Sequence, residues 1–205
     1  MEPVPQGLRE RKKRETRLAL ARAAMRLFEE RGYAATTVDD IAAAANVSRR
    51  TFFRYFAGKD EVLIVDPEGK LAALHVALAE GPPDEPTIAA LRRGIIALAS
   101  AYYDPELLLA EERIALVEPV MAAAGLAYQV RWEDALAVEV AQDLGVDVNT
   151  DARPRITAHA TVAILRAGVA AWLGSGGHGE PSEFVAATFD RATPALEAVL
   201  AMAPA

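Results

Sequence analysis

Apolar positions recur every three or four residues along most of the chain, and strict alternation is scarce. That period belongs to helices with one buried face, so the chain reads as all-α. Leu18, Ala21, Met25 and Phe28 share one face of a helix expected over residues 8–31. Gly32 stops it, as a glycine just past a helix C-terminus does. Thr37 is placed to cap a second helix, with Asp39 and Asp40 in its first turn, where the helix dipole favours carboxylates. Ile41 and Ala45 face inward, Asn46-Val47 makes a turn, and Ser48 caps a third, short helix over 49–55.

Gly58 ends this unit. Lys59 opens a fourth helix reaching to about residue 80, with an interruption expected at Asp66-Pro67. Gly81-Pro82-Pro83 is a loop, and 87–103 is helical. Asp104-Pro105-Glu106 supplies a cap, a first-turn proline and a first-turn acid, so a helix runs from 105 to about 117 until Pro119 breaks it. Helices are then expected over 126–144, closed by Gly145, over 155–173 and over 182–202, the last two separated by GSGGHGEP. The sum is about nine helices without an internal repeat. A three-helix unit, 1–58, precedes a larger helical bundle, 59–205.

Composition supports a packed protein. Of 205 residues, 52% are hydrophobic and 25% charged, enough apolar surface to bury a core. No cysteine is present, which removes disulfides and thiolate chemistry and suits a reducing compartment. The longest run without Asp, Glu, Lys or Arg is 13 residues, 167–179. A spanning helix needs about 20 apolar residues, so no membrane partner is expected. The N-terminal sequence lacks the apolar core of a secretory signal, and a cytoplasmic location is expected. The net charge of −7 hides an asymmetry: residues 1–60 hold 13 Lys and Arg against 8 Asp and Glu, while the rest hold 9 against 21. A basic head on an acidic body points to an anionic partner for the head alone.

The segment NVSRRTFFRYFAGK, 46–59, concentrates cation beside aromatic. On a helical wheel Phe52 and Phe56 fall about 40° apart and define a core face, with Arg50, Thr51 and Arg54 opposite, Tyr55 at the edge and Phe53 on the flank. Arginines on such a face often just meet solvent. Here, however, the helix spans only about two turns and needs tertiary support. A capped helix precedes it across a tight turn, which is a helix-turn-helix pattern. The cations Arg9, Arg11, Lys12, Lys13, Arg14 and Arg17 also lie in the same basic head. A helix-turn-helix places its second helix in the major groove, where arginine bonds guanine and a threonine methyl meets thymine.

Residues 35–63, ATTVDDIAAAANVSRRTFFRYFAGKDEVL, closely resemble the DNA-binding signature of TetR/AcrR-family transcriptional regulators. The matching features are Thr37 opening the second helix, the Val47-Ser48 turn, the aromatic end Thr51 to Phe56, and Lys59. The resemblance implies double-stranded operator DNA as partner. It implies base contacts from Arg49, Arg50 and Thr51 and phosphate contacts from Thr37, Tyr55 and Lys59, with Ser48, Arg54, Arg11, Lys12 and Lys13 completing the DNA-binding set. One position departs: a tyrosine that donates to phosphate often stands where this chain has Phe53, which has no hydroxyl and is expected to pack instead. The remainder resembles the family in layout. Arg131-Trp132 to Leu144-Gly145 is similar to a subgroup whose C-terminal domain takes acyl-CoA-like ligands.

The body carries no catalytic pattern. GSGGHG, 174–179, matches G-x-G-x-x-G in form but follows a helix, so it reads as an interhelical loop. His75, His159 and His178 are scattered, and no G-x-S-x-G or P-loop spacing occurs. No enzyme, cofactor or metal is expected. Tyr102, Tyr103, Arg113, Tyr128, Arg131 and Trp132 are either core aromatics with surface cations or the lining of an effector pocket, a cation meeting any phosphate. Ala160, Ala163, Ala167, Gly168 and Ala171 form a small-residue face. It serves either packing within the chain or, as the resemblance implies, a homodimer seam built from the last two long helices. The reading is a homodimeric, effector-responsive transcriptional regulator acting as a repressor. The competing reading is a helical ligand-binding or adaptor protein whose basic head meets an acidic protein.

Overall fold

The computed structural model describes residues 8–63, 67–115 and 119–202. Among these it contains nine α-helices and no strand: α1 (Leu8–Arg31), α2 (Val38–Ala44), α3 (Arg49–Tyr55), α4 (Pro67–Ala79), α5 (Thr87–Tyr102), α6 (Pro105–Ala115), α7 (Pro119–Leu144), α8 (Ala152–Gly174) and α9 (Pro181–Leu200). The first three lie where the sequence places them, with local signals at the end of α1 and at the starts of α2 and α3. Gly32 adopts φ 83° past the end of α1. Thr37 and Ser48 accept hydrogen bonds from the backbone N–H three residues on, at α2 and α3.

Prolines account for the differences. The helix expected from Lys59, with its interruption at Asp66-Pro67, is instead a 3₁₀ turn over Lys59–Leu63 and a separate helix, α4, that opens at Pro67. Pro119, where the sequence expects a break, is the first residue of α7, which starts seven residues before the expected 126. Pro154 lies in the first turn of α8, which Asp151 caps by accepting from the Arg153 N–H at 2.9 Å. A proline in a first turn lacks an N–H that would have had no intrahelical acceptor, so it opens helices as readily as it breaks them. Pro194 is interior to α9, on its exposed face.

The chain divides into two compact units, 1–67 with 106–125 and 68–105 with 126–205. The first unit is built around Leu20, Ala24, Met25 and Phe28 of α1, Ile41 of α2, Phe52 of α3, and Phe56 and Val62 beyond it. Leu107, Ala110 and Ile114 of α6 complete that core. Burying such side chains contributes on the order of 1.5–3 kcal/mol each, which is what holds a seven-residue helix like α3 in place. The α1–α2 connection is pinned from inside. The buried Thr36 hydroxyl donates to Gly32 O at 3.0 Å and Leu27 O at 3.3 Å.

The second unit packs α5 and α8 against α9. Its core joins Leu91, Ile95 and Leu98 of α5, Trp132, Leu136 and Val140 of α7, Ala158, Val162 and Leu165 of α8, and Val185 and Phe189 of α9. Gly168 sets the α8–α9 distance: a β-carbon there would stand 2.6 Å from Val185 Cα. By length and composition α8 is apolar enough to cross a bilayer, but its apolar positions build this core. GSGGHG links α8 to α9, and Trp172 Nε1 donates to Gly179 O at 2.9 Å across it.

Candidate nucleic-acid interface

Thr37 and Asp40 close the start of α2 on each other. Asp40 N–H donates to Thr37 Oγ1 at 3.2 Å, Thr37 N–H donates to Asp40 Oδ2 at 2.9 Å, and the Thr37 hydroxyl donates to the same oxygen at 2.6 Å. This is a capping box with aspartate in the third position. The Thr37 hydroxyl and backbone hydrogen bonds, helped by Arg31 at 3.5 Å, hold the Asp40 carboxyl below the usual carboxylate range. Asn46 then takes φ 53°, a left-handed conformation that asparagine tolerates better than most residues, and the chain turns from α2 into α3.

Ser48 starts α3 by accepting from Thr51 N–H at 3.0 Å, and its Oγ lies 2.9 Å from Thr51 Oγ1. Phe52 and Phe56 are 0% and 1% exposed, as the wheel requires of an inward face. Arg50 and Arg54 are exposed opposite them, Arg49 is exposed at the start of the helix, and Arg50, Thr51, Phe53 and Arg54 line one open groove. Arg54 lies along Tyr55, with Nη2 donating to the phenol oxygen at 3.1 Å. Phe53 only partly follows the expectation that it packs. Its ring stands edge-on against Phe52 at 5.5 Å and 82°, yet the residue is 46% exposed.

Two contacts lay outside sequence reasoning. Arg49 Nη1 meets Asp39 Oδ2 at 2.6 Å, joining α3 to α2 across the turn, and its guanidinium sits 5.3 Å from the Phe53 ring centroid. Lys59 Nζ donates to Tyr33 O at 2.8 Å and Thr36 O at 3.1 Å, and lies 4.2 Å from the Tyr33 ring centroid. Its ammonium thus closes the α1–α2 connection from outside as Thr36 does from within. Arg11, Lys12 and Lys13 are exposed in the first turns of α1, with Arg11 3.5 Å from Glu15. The described residues supply no ion pair to Arg50 or Arg54, so α3 displays two uncompensated cations and a threonine on one face.

Two family descriptions match this chain: "Bacterial regulatory proteins, tetR family" over residues 20–64 and "MftR C-terminal domain" over residues 85–201. The chain is also 37% identical over 172 residues to the HTH-type transcriptional regulator TcmR of Streptomyces glaucescens, covering 80% of this chain and 74% of that protein. The chain belongs to the TetR family. It is 28% identical over 152 residues to a putative mycofactocin biosynthesis transcriptional regulator, MftR, of Mycobacterium tuberculosis, covering 73% of this chain and 76% of that protein. Among solved structures it resembles Thermus thermophilus FadR, a TetR-family transcriptional repressor in complex with lauroyl-CoA. That match has 25% identity and a TM-score of 0.54, over 92% of this chain and 97% of that one. A TetR-family protein from Syntrophomonas wolfei shares the fold at 19% identity and a TM-score of 0.62, over 92% of this chain and 98% of that one. The TetR-family match over 20–64 contains the whole of α2, the turn and α3.

The remaining candidates of this TetR-family chain divide between the units. Trp132 is buried in the second core, and Tyr102, Tyr103 and Tyr128 pack, partly buried, against that core. Arg131 is in the same unit, exposed, 2.8 Å from Glu68 and 5.6 Å from the Tyr128 ring centroid. Arg113 belongs to the first unit, where it pairs with Glu29. The small residues of α8 also split. Ala163, Ala167 and Ala171 are exposed and Ala160 is half-buried, while Gly168 faces α9 of its own chain.

Proposed function

We propose that this protein is an effector-responsive repressor that binds a near-palindromic operator as a homodimer and works in the cytoplasm. The observation that carries the DNA reading is the display of Arg50, Thr51 and Arg54 on the exposed face of α3, while Phe52 and Phe56 fix that helix from behind. Arg50 and Thr51 read base edges, and Arg49 joins them. Thr37, Ser48, Tyr55, Lys59 and the cations Arg11, Lys12 and Lys13 hold phosphates; such contacts fix register rather than sequence. Two α3 helices then enter successive major grooves, roughly 34–36 Å apart. The exposed alanines 163, 167 and 171 supply the seam at which two copies of α8 and α9 meet. Duplexes selected from a randomised library by the wild-type protein provide the test. Arg50→Ala and Thr51→Ala should each weaken binding by about 1–3 kcal/mol for every base edge the variant leaves unread. Wild-type affinity in both variants would remove α3 as the reading helix.

The effector is a hydrophobic, acyl-CoA-like molecule held in the second unit among Tyr102, Tyr103, Tyr128 and Trp132, with Arg131 meeting its phosphates. The lauroyl-CoA bound by the related FadR structure supports this class. An effector releases DNA only if it prefers the body conformation that misplaces the heads, since differential affinity alone shifts an equilibrium. Lauroyl-CoA titrated against the preformed DNA complex should displace the protein. No displacement by this or by shorter and longer acyl chains would remove the acyl-CoA class.

A further inference from the structure

We infer that Phe53 is a specificity residue of this interface: its exposed ring edge reads the 5-methyl group of thymine in the operator half-site. The inference rests on the DNA-binding role proposed above. Five other large hydrophobic side chains are substantially exposed among the described residues, Val76, Val130, Val138, Ile156 and Met202, and all five lie in the second unit. Among the described residues Phe53 is the one such group in the first unit, and it stands on the helix that also displays the cations.

Its position is fixed rather than floppy. The buried Phe52 supports the ring edge-on at 5.5 Å, and the Arg49 guanidinium, itself tied to Asp39, lies 5.3 Å from its centroid. An aromatic ring loses little conformational freedom on binding and presents a rigid apolar edge. The groove around it is lined by Arg50, Thr51 and Arg54, all polar, so the ring is an apolar island in a cationic surface. The major groove has one matching feature. Among the four bases only thymine shows an apolar group there, the methyl on C5, while the others show hydrogen-bond donors and acceptors. A ring without a hydroxyl gains nothing from those donors and acceptors and covers a methyl well. The same contact also fits the methyl of 5-methylcytosine, which unmodified cytosine lacks.

A duplex selected by the wild-type protein is resynthesised with deoxyuridine replacing each half-site thymidine in turn, which deletes one methyl and leaves base pairing intact. At one symmetric position the substitution should weaken the wild-type protein by about fourfold, the transfer free energy of one methyl group. Phe53→Ala should bind the thymidine and deoxyuridine duplexes equally, and Phe53→Leu, which keeps an apolar tip, should keep a preference for thymidine. Circular dichroism and Arg50→Ala run alongside as controls for folding and for the reading helix. If the wild type is indifferent to every deoxyuridine, or Phe53→Ala responds as the wild type does, the thymine-methyl contact is overturned while the DNA-binding role stands. If the wild type selects no DNA, both fall together.

Discussion

Asp40 has no part in the proposed DNA contacts, yet it holds Thr37 at the start of α2. Its carboxylate binds the Thr37 hydroxyl and N–H, and these bonds, with Arg31, depress its pKa. A carboxylate with a depressed folded pKa stabilises the fold fully above its unfolded pKa and loses that contribution as the pH falls through the folded value. Thermal melts should therefore show part of the stability disappearing below about pH 4. Asp40→Asn should lower the melting temperature at neutral pH and narrow the difference between pH 7 and pH 3; an undiminished acid effect in that variant would place it on other carboxylates. At this scale the sequence was legible where a rule is local. The wheel separated Phe52 and Phe56 from Arg50 and Arg54 because residues of one short helix share one geometry. It was silent on Arg49 with Asp39, and on Lys59 with the carbonyls of Tyr33 and Thr36, because those pairs form only once the turn and the α1–α2 connection are in place.

Helices showed the same division. α1, α2 and α3 were readable from a glycine and two hydroxyl caps, whereas α7 and α8 start earlier than expected because Pro119 and Pro154 look like breaks when they open a helix. The docking of α6 on the first core was not legible, since Leu107 and Ile114 are ordinary apolar periodic positions whose partner is chosen by long-range packing. Gly168 was visible as a small residue, but its partner across the α8–α9 crossing was not. Gly168→Ala places a β-carbon against the Val185 backbone and should destabilise the protein by about 1–3 kcal/mol, as overpacking does. Denaturant unfolding measures it. An unchanged midpoint would mean that α8 and α9 separate without cost, contrary to the packing described.

Across the whole molecule, residues 1–60 and the remainder carry opposite net charges, +5 and −12. The proposed pairing of two copies through α8 and α9 fits that distribution, because it draws on the second unit and on none of the basic residues of 1–60. Ala167→Glu puts a charge on the exposed face of α8 and should halve the mass seen by light scattering while circular dichroism stays helical; a dimer of unchanged mass would place the seam elsewhere. The pairing of Arg49 with Asp39 gives the molecule a further property, in its dealings with electrolyte. Asp39 is a counterion that cannot diffuse away. An arginine that brings its own anion adds no net charge at the phosphates and displaces few of the salt ions condensed there. In the proposed dimeric complex Asp39→Asn unmasks that charge once per subunit, and the slope of log K against log salt should steepen by about 0.9 for each such cation that meets a phosphate, between roughly 50 and 200 mM. On the proposed DNA-binding role, the affinity that Arg49 contributes with Asp39 in place is of the kind that a rise in cellular salt leaves largely intact.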